Sequence, residues 1–103
     1  MRLRLSKLAY ADLDSIYTQT ISKWGQEQAD RYLHALWDAL EKVAAAPERW
    51  RPRDDLHPGC RICFRGRHAI LYRIHEGQAE IARVLHDAMD FPKHIPDDFM
   101  GED

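Results

Sequence analysis

The side chains of this sequence best equipped for chemistry are six histidines, two cysteines and a crowd of arginines. Cys60-Arg61-Ile62-Cys63 has C-x-x-C spacing. The segment reads as a strand, however, and residues three apart in a strand point to opposite faces. The two thiols therefore have no reason to meet on a metal, and no second cysteine pair completes a zinc site. A redox C-x-x-C also wants a helix N-terminus to depress a thiol pKa, and none follows. No two of His34, His57, His68, His75, His86 and His94 fall four apart on a predicted helix, as a helical metal site would require. His86 stands apart because it closes the last predicted strand, three residues after Arg83. General acid–base work there needs a partner, and in a regular strand Arg83 and His86 face opposite sides. They cooperate only across a bulge or a strand end. Serine occurs only as Ser6, Ser15 and Ser22, at or in the first predicted helix, and no G-x-S-x-G or phosphate-loop glycine pattern is present, which argues against a serine nucleophile.

The arginines are unevenly placed. Residues 1–48 carry six bases and seven acids, a net −1. Residues 49–73 carry Arg49, Arg51, Arg53, Arg61, Arg65, Arg67 and Arg73 against Asp54 and Asp55, a net +5. Residues 74–103 carry two bases and eight acids, a net −6. Guanidinium groups pair bidentately with carboxylate or phosphate, so the basic middle suits recognition of something acidic. The competing reading is that these arginines pair with the protein's own acids.

The elements that must position these residues follow from hydrophobic period. Arg2-Leu3-Arg4-Leu5 alternates as a short strand over 2–5, and Ser6 is a good N-cap for a helix starting at Lys7. Ala9, Leu13, Ile16, Tyr17, Thr20 and Trp24 recur at helical spacing until Gly25 breaks the run. A second helix is predicted from Gln26 to Ala46, with Ala29, Tyr32, Leu33, Leu36, Leu40 and Val43 as its apolar stripe and Pro47 as its stop. The tight Gly25 junction predicts a helix hairpin over about 7–46. After a Pro- and Gly-broken connector, strands are expected at 60–65, 68–74 and 78–85, with Gly66-Arg67 and Glu76-Gly77 as turns. The order β-α-α-β-β-β predicts an α+β fold: an antiparallel sheet, from residues 2–5 and about 60–86, packed on one face by the helix hairpin. Residues 87–103 read as a tail. With one sheet or helix face left bare, Trp37 or Trp50 is expected to join an apolar patch that a partner fills.

At 103 residues, with 45% hydrophobic positions, one domain burying roughly 60–65% of its unfolded surface is expected. A formal charge of −2 is not that of a basic nucleic-acid coat or a polybasic membrane binder, so no direct DNA binding is expected. The short apolar runs exclude a transmembrane helix, the N-terminus lacks a secretory apolar core, and two cysteines fit a reducing cytoplasm.

Taken together, Leu13-Asp14-Ser15-Ile16-Tyr17, Trp24-Gly25-Gln26-Glu27-Gln28-Ala29, Arg51-Pro52-Arg53-Asp54-Asp55-Leu56, Gly66-Arg67-His68, Leu71-Tyr72-Arg73 and Ile81-Ala82-Arg83-Val84-Leu85-His86 resemble the ParE branch of the RelE/ParE toxins of type II toxin–antitoxin systems. The likeness spans roughly residues 2–95. It implies the RelE/ParE toxin fold and a bacterial cytoplasmic toxin, without cofactor or metal, that inhibits DNA gyrase and is neutralised by a ParD-like antitoxin. RelE-like relatives are instead metal-independent messenger-RNA nucleases. A nuclease reading would rest on Arg83, His86, Arg65 and Tyr72, and a third reading is an inactive antitoxin-binding member. Near-neutral charge and the acids Asp87 and Asp90 beside His86 favour the inhibitor, since both oppose a polyanion. Arg61, Arg65, Arg67, Arg73, Trp37 and Trp50 are the candidate antitoxin contacts.

Overall fold

The computed structural model describes residues 3–101. Strand β1 spans Leu3–Leu5, helix α1 Lys7–Trp24 and helix α2 Gln26–Ala45; a 3-10 turn follows at Pro47–Arg49. Strands β2 (Arg61–Arg65), β3 (His68–His75) and β4 (Gln78–His86) come next, and a second 3-10 turn covers Phe91–His94. The expected start of the first strand at Arg2 lies outside the described residues. Ser6 caps α1 as expected, its Oγ accepting from the Ala9 N–H at 2.9 Å while donating to the Ala82 carbonyl at 2.7 Å.

The four strands are ordered β1-β4-β3-β2 in one sheet. β2, β3 and β4 form the expected antiparallel meander, but β1 runs parallel to β4, so the sheet is mixed rather than wholly antiparallel. Parallel neighbours need a long crossover, which the helix hairpin and β2–β3 supply. The Ser6 N–H donates to the Ile81 carbonyl at 3.0 Å, so β1 hands the chain to α1 at the edge of β4.

The period-2 alternation divides the sheet's side chains between two cores. Cys63, Ile70, Tyr72, Ala79, Ile81 and Val84 meet Leu13, Ile16, Leu36, Leu40 and Val43 of the helices. Cys60, Ile62, Ala69, Leu71, Ala82 and Leu85 form the other face. That face is not bare: the segment after β4 folds back over it and buries Ile95, Phe99 and Met100. Polar groups tie the segment down, since the Arg83 Nη1 donates to the His94 carbonyl at 2.9 Å and His57 Nε2 lies 3.1 Å from the Asp97 carbonyl.

Candidate functional site

The four residues of the nuclease reading are not brought together. Arg83 lies beside a bulge in β4, where Leu71 pairs with Arg83 and Tyr72 with Ile81, leaving Ala82 as the extra residue. Its guanidinium grips Asp12 of α1 with two bonds, Nε–Oδ2 at 2.8 Å and Nη2–Oδ1 at 2.7 Å. The same Asp12 Oδ2 accepts the Val84 N–H at 3.0 Å, capping the edge of β4 where β1 has ended. With Nη1 on the His94 carbonyl as well, Arg83 ties α1 and the tail to the sheet. The bond to Asp12 raises its pKa further. Tyr72 is wholly buried, edge-on to Trp50 with ring centroids 6.4 Å apart, and its hydroxyl donates to the Pro47 carbonyl. Burial pushes this phenol up to about 12. Tyr72 sits four residues along β3 from His68, the register partner of His86, a span of roughly 13 Å at strand rise. Arg65 is exposed at the C-terminal end of β2, where it shares a cross-strand row with His86 across His68, away from Arg83 and Tyr72.

His86 meets a different pair. Its ring stands edge-on to His68 at a centroid distance of 5.6 Å, and His68 Nδ1 lies 2.6 Å from the Tyr32 hydroxyl of α2. That hydroxyl also accepts the Arg67 N–H at 3.2 Å and lies 3.3 Å from the Arg65 carbonyl, so it clamps the β2–β3 turn. The hydroxyl accepts the Arg67 N–H and has both the Arg65 carbonyl and His68 Nδ1 within reach of its single proton. Burial, and then the neighbouring His86, hold the His68 pKa below its usual value. His86 Nδ1 in turn accepts from the Ala88 N–H at 3.1 Å and lies 3.3 Å from Asp87 Oδ1. Tyr32 looked like core and His68 like a strand residue. A regular two-residue hairpin at Glu76-Gly77 sets His68 opposite Leu85, and only the bulge brings it to His86.

The candidate antitoxin contacts divide by what already holds them. Arg73 donates to Glu80 Oε1 at 2.8 Å, Arg4 donates to Oε2 at 2.9 Å, and the carboxylate between them is 2% exposed. Burial pushes the Glu80 pKa up, but the two guanidinium bonds outweigh it and the group titrates low. Arg61 donates to the carbonyls of Glu48 and Trp50, and Trp37 and Trp50 are half-buried against the helix-side core. Arg53 is bound by Asp55 within its own loop. Arg49, Arg51 and Arg65, by contrast, make no ion pair among the described residues, and Arg67 reaches only 3.8 Å from Asp87. Arg49 and Arg65 line a groove of about 520 Å³ between α2 and β2, with Lys42, Trp50 and Phe64. β2 is the edge strand of the sheet there.

Cys60 and Cys63 are buried on opposite faces of the sheet, and burial raises both thiols, Cys60 to about 11. No group of three or more His, Cys, Asp or Glu among the described residues is placed to hold a metal ion. No described helix is long and apolar enough to cross a membrane.

The family model for the ParE toxin of type II toxin–antitoxin systems, parDE, matches residues 3–91. The chain belongs to the ParE toxin family. Toxin ParE1 of Caulobacter vibrioides is 40% identical to this ParE-family chain, over 89% of the chain and 95% of the relative. Toxin ParE1 of Mycobacterium tuberculosis is 38% identical over 91% and 97%. Among solved structures, the chromosomal ParDE toxin–antitoxin system from P. aeruginosa superposes with a TM-score of 0.73 at 23% identity, covering 84% of this chain and 95% of that one. The toxin–antitoxin complex RelBE2 from M. tuberculosis gives 0.62 at 24%, covering 82% and 94%. Both likenesses show the RelE/ParE fold. The matched span of this ParE toxin takes in Asp12, Tyr32, His68, Arg83 and His86, whereas Ile95, Phe99 and Met100 of the sheet-covering segment lie beyond it.

Proposed function

We propose that this ParE-family toxin is a binding inhibitor of DNA gyrase, not an enzyme, and that it acts in the bacterial cytoplasm until a cognate ParD-like antitoxin neutralises it. The observation that carries the choice over a messenger-RNA nuclease is the position of Arg83. Its donors are taken by Asp12 and the His94 carbonyl, and Tyr72 is buried against Pro47, so two of the four side chains that would stabilise phosphate or move its protons face inward. The net charge of −2 supports the same reading, because ribosomal RNA recognition draws on counterion release by a basic protein. Relatives named Toxin ParE1 over almost the whole chain, and a ParDE neighbour in structure, support an antitoxin partner.

For the antitoxin, the α2–β2 groove is the best-suited surface. Arg49, Arg65 and Lys42 outnumber Asp38 and Glu41 there, and the edge of β2 offers backbone groups to an extended acidic segment. Arg61 is taken by the Glu48 and Trp50 carbonyls and Arg73 by Glu80 beneath Phe99 on the other face of the sheet, while Trp50 forms part of the groove's wall. Purified toxin should block gyrase supercoiling and leave ribosome-bound messenger RNA intact; the converse pair of results would overturn the inhibitor reading. Arg49→Glu with Arg65→Glu should weaken antitoxin binding about tenfold or more, and an unchanged dissociation constant would exclude this groove.

A further inference from the structure

A second cleft, of about 510 Å³, opens where the C-terminal end of α1 and the start of α2 overhang the β3–β4 end of the sheet. It lies away from the α2–β2 groove and shares no lining residue with it. Its volume falls in the range of small-molecule sites. Unlike such sites in general, it is rimmed by donors. Lys23 and Arg67 bring two cations, and His68 and His86 bring two imidazoles. Nδ1 of each ring is engaged from the protein side, His68 by Tyr32 and His86 by the Ala88 N–H, so Nε2 is the nitrogen each has left for a ligand. Asp87 stands 3.8 Å from Arg67 Nε and 3.3 Å from His86 Nδ1, so one carboxylate faces these groups; it opposes a polyanion, whereas against a single phosphate Lys23 and Arg67 outnumber it.

The cleft also carries an aromatic group. Trp24 lines it and is 71% exposed, the most exposed of the large hydrophobic side chains among the described residues. No fold requirement explains an indole there, because Trp24 belongs to neither buried core. Gln19 and Gln28 also line the cleft with side-chain amides; Gln19 carries the paired donor and acceptor that match a nucleobase edge, while Gln28 Oε1 accepts from Arg31 Nη2 at 2.9 Å and keeps its amide N–H groups to donate. An exposed indole is a stacking platform that any base can use. An exposed indole, two amides and four cationic or imidazole groups lining one cleft match a ligand with a planar heterocycle and a phosphate.

We propose that this cleft binds a mononucleotide, with the base stacked on Trp24 and read by Gln19 and Gln28, and the phosphate held by Lys23, Arg67, His68 and His86. The proposal concerns binding only and involves no bond cleavage. It is independent of the gyrase reading, because it is tested on the toxin alone. Calorimetric titration of the full-length chain with adenosine monophosphate should show saturable binding, and adenosine and inorganic phosphate, the two halves, should each bind at least about tenfold more weakly. Trp24→Ala and Arg67→Ala should each weaken the nucleotide about tenfold without lowering the melting temperature, since both side chains are exposed; Lys23→Ala is a further exposed-site variant. Absence of saturable binding at millimolar nucleotide would overturn the proposal. So would phosphate binding as tightly as the nucleotide, or full affinity retained in Trp24→Ala and Arg67→Ala.

Discussion

Arg83 illustrates how one carboxylate decides what an arginine is available to do. Both it and Asp12 are largely shielded, with side chains 17% and 14% exposed, so the pair is worth more than a surface bridge. Asp12→Ala would strand the guanidinium and leave the Val84 N–H without its acceptor. The expected loss is about 3 kcal/mol, read by urea denaturation. His68 carries a pH signature. Its folded pKa lies below the 6.5 of a free imidazole because burial and the neighbouring His86 disfavour its charged form. The unfolded chain therefore takes up the proton more readily, so the contribution is whole above about pH 6.5, falls as pH drops through that value, and levels off once folded His68 is itself protonated. Unfolding followed between about pH 8 and pH 5 should show this decline, and His68→Gln should flatten it. Neither relation was legible in the residue order: Asp12 and Arg83 are 71 apart, and nothing in either neighbourhood names the other.

At the scale of elements, the boundaries were readable because their signals are local. Ser6 caps α1, Gly25 separates the helices with φ near +89°, and Pro47 follows the end of α2. The β2–β3 turn was legible as a Gly66-Arg67 hairpin, but not its attachment to α2. Gly66 has φ of +57°, and a β-carbon there would sit 2.7 Å from the Tyr32 hydroxyl. Gly66→Ala therefore meets both a backbone penalty and a clash with a ring held by its bonds to His68 and Arg67. We expect a loss of about 2 kcal/mol in stability, together with displaced His68 ring resonances in NMR spectra. The bulge at Ala82 was not readable, because alternation in the segment from Gln78 to His86 looks the same with or without one extra residue.

Over the whole molecule, the largest departure from expectation is the second face of the sheet. Polar, Pro-broken sequence after Asp87 suggested a tail, yet Phe99 is fully buried over Leu71 and Leu85, with the Arg73 guanidinium 5.0 Å from its ring centroid and His57 5.1 Å away. Phe99→Ala should cost about 3–4 kcal/mol by chemical denaturation and expose apolar sheet to a hydrophobic dye; a near-neutral result would mean the segment is not a working part of the core. The charge pattern changes at this scale too. Of the basic middle, Arg53, Arg61 and Arg73 serve the protein's own carboxylates and carbonyls, so self-pairing accounts for part of the segment, whereas Arg49, Arg51 and Arg65 make no ion pair among the described residues.

Residue order was enough for the β-α-α-β-β-β succession, the two-faced strands, the separation of the two thiols and the likeness to ParE toxins, because period, caps and turns act over a few neighbours. Packing alone decided that β1 runs parallel to β4, that Arg83 and Tyr72 turn inward, and that Tyr32, His68 and His86 converge. Those outcomes depend on one bulged residue and on contacts between groups tens of positions apart, for which a local pattern carries no record.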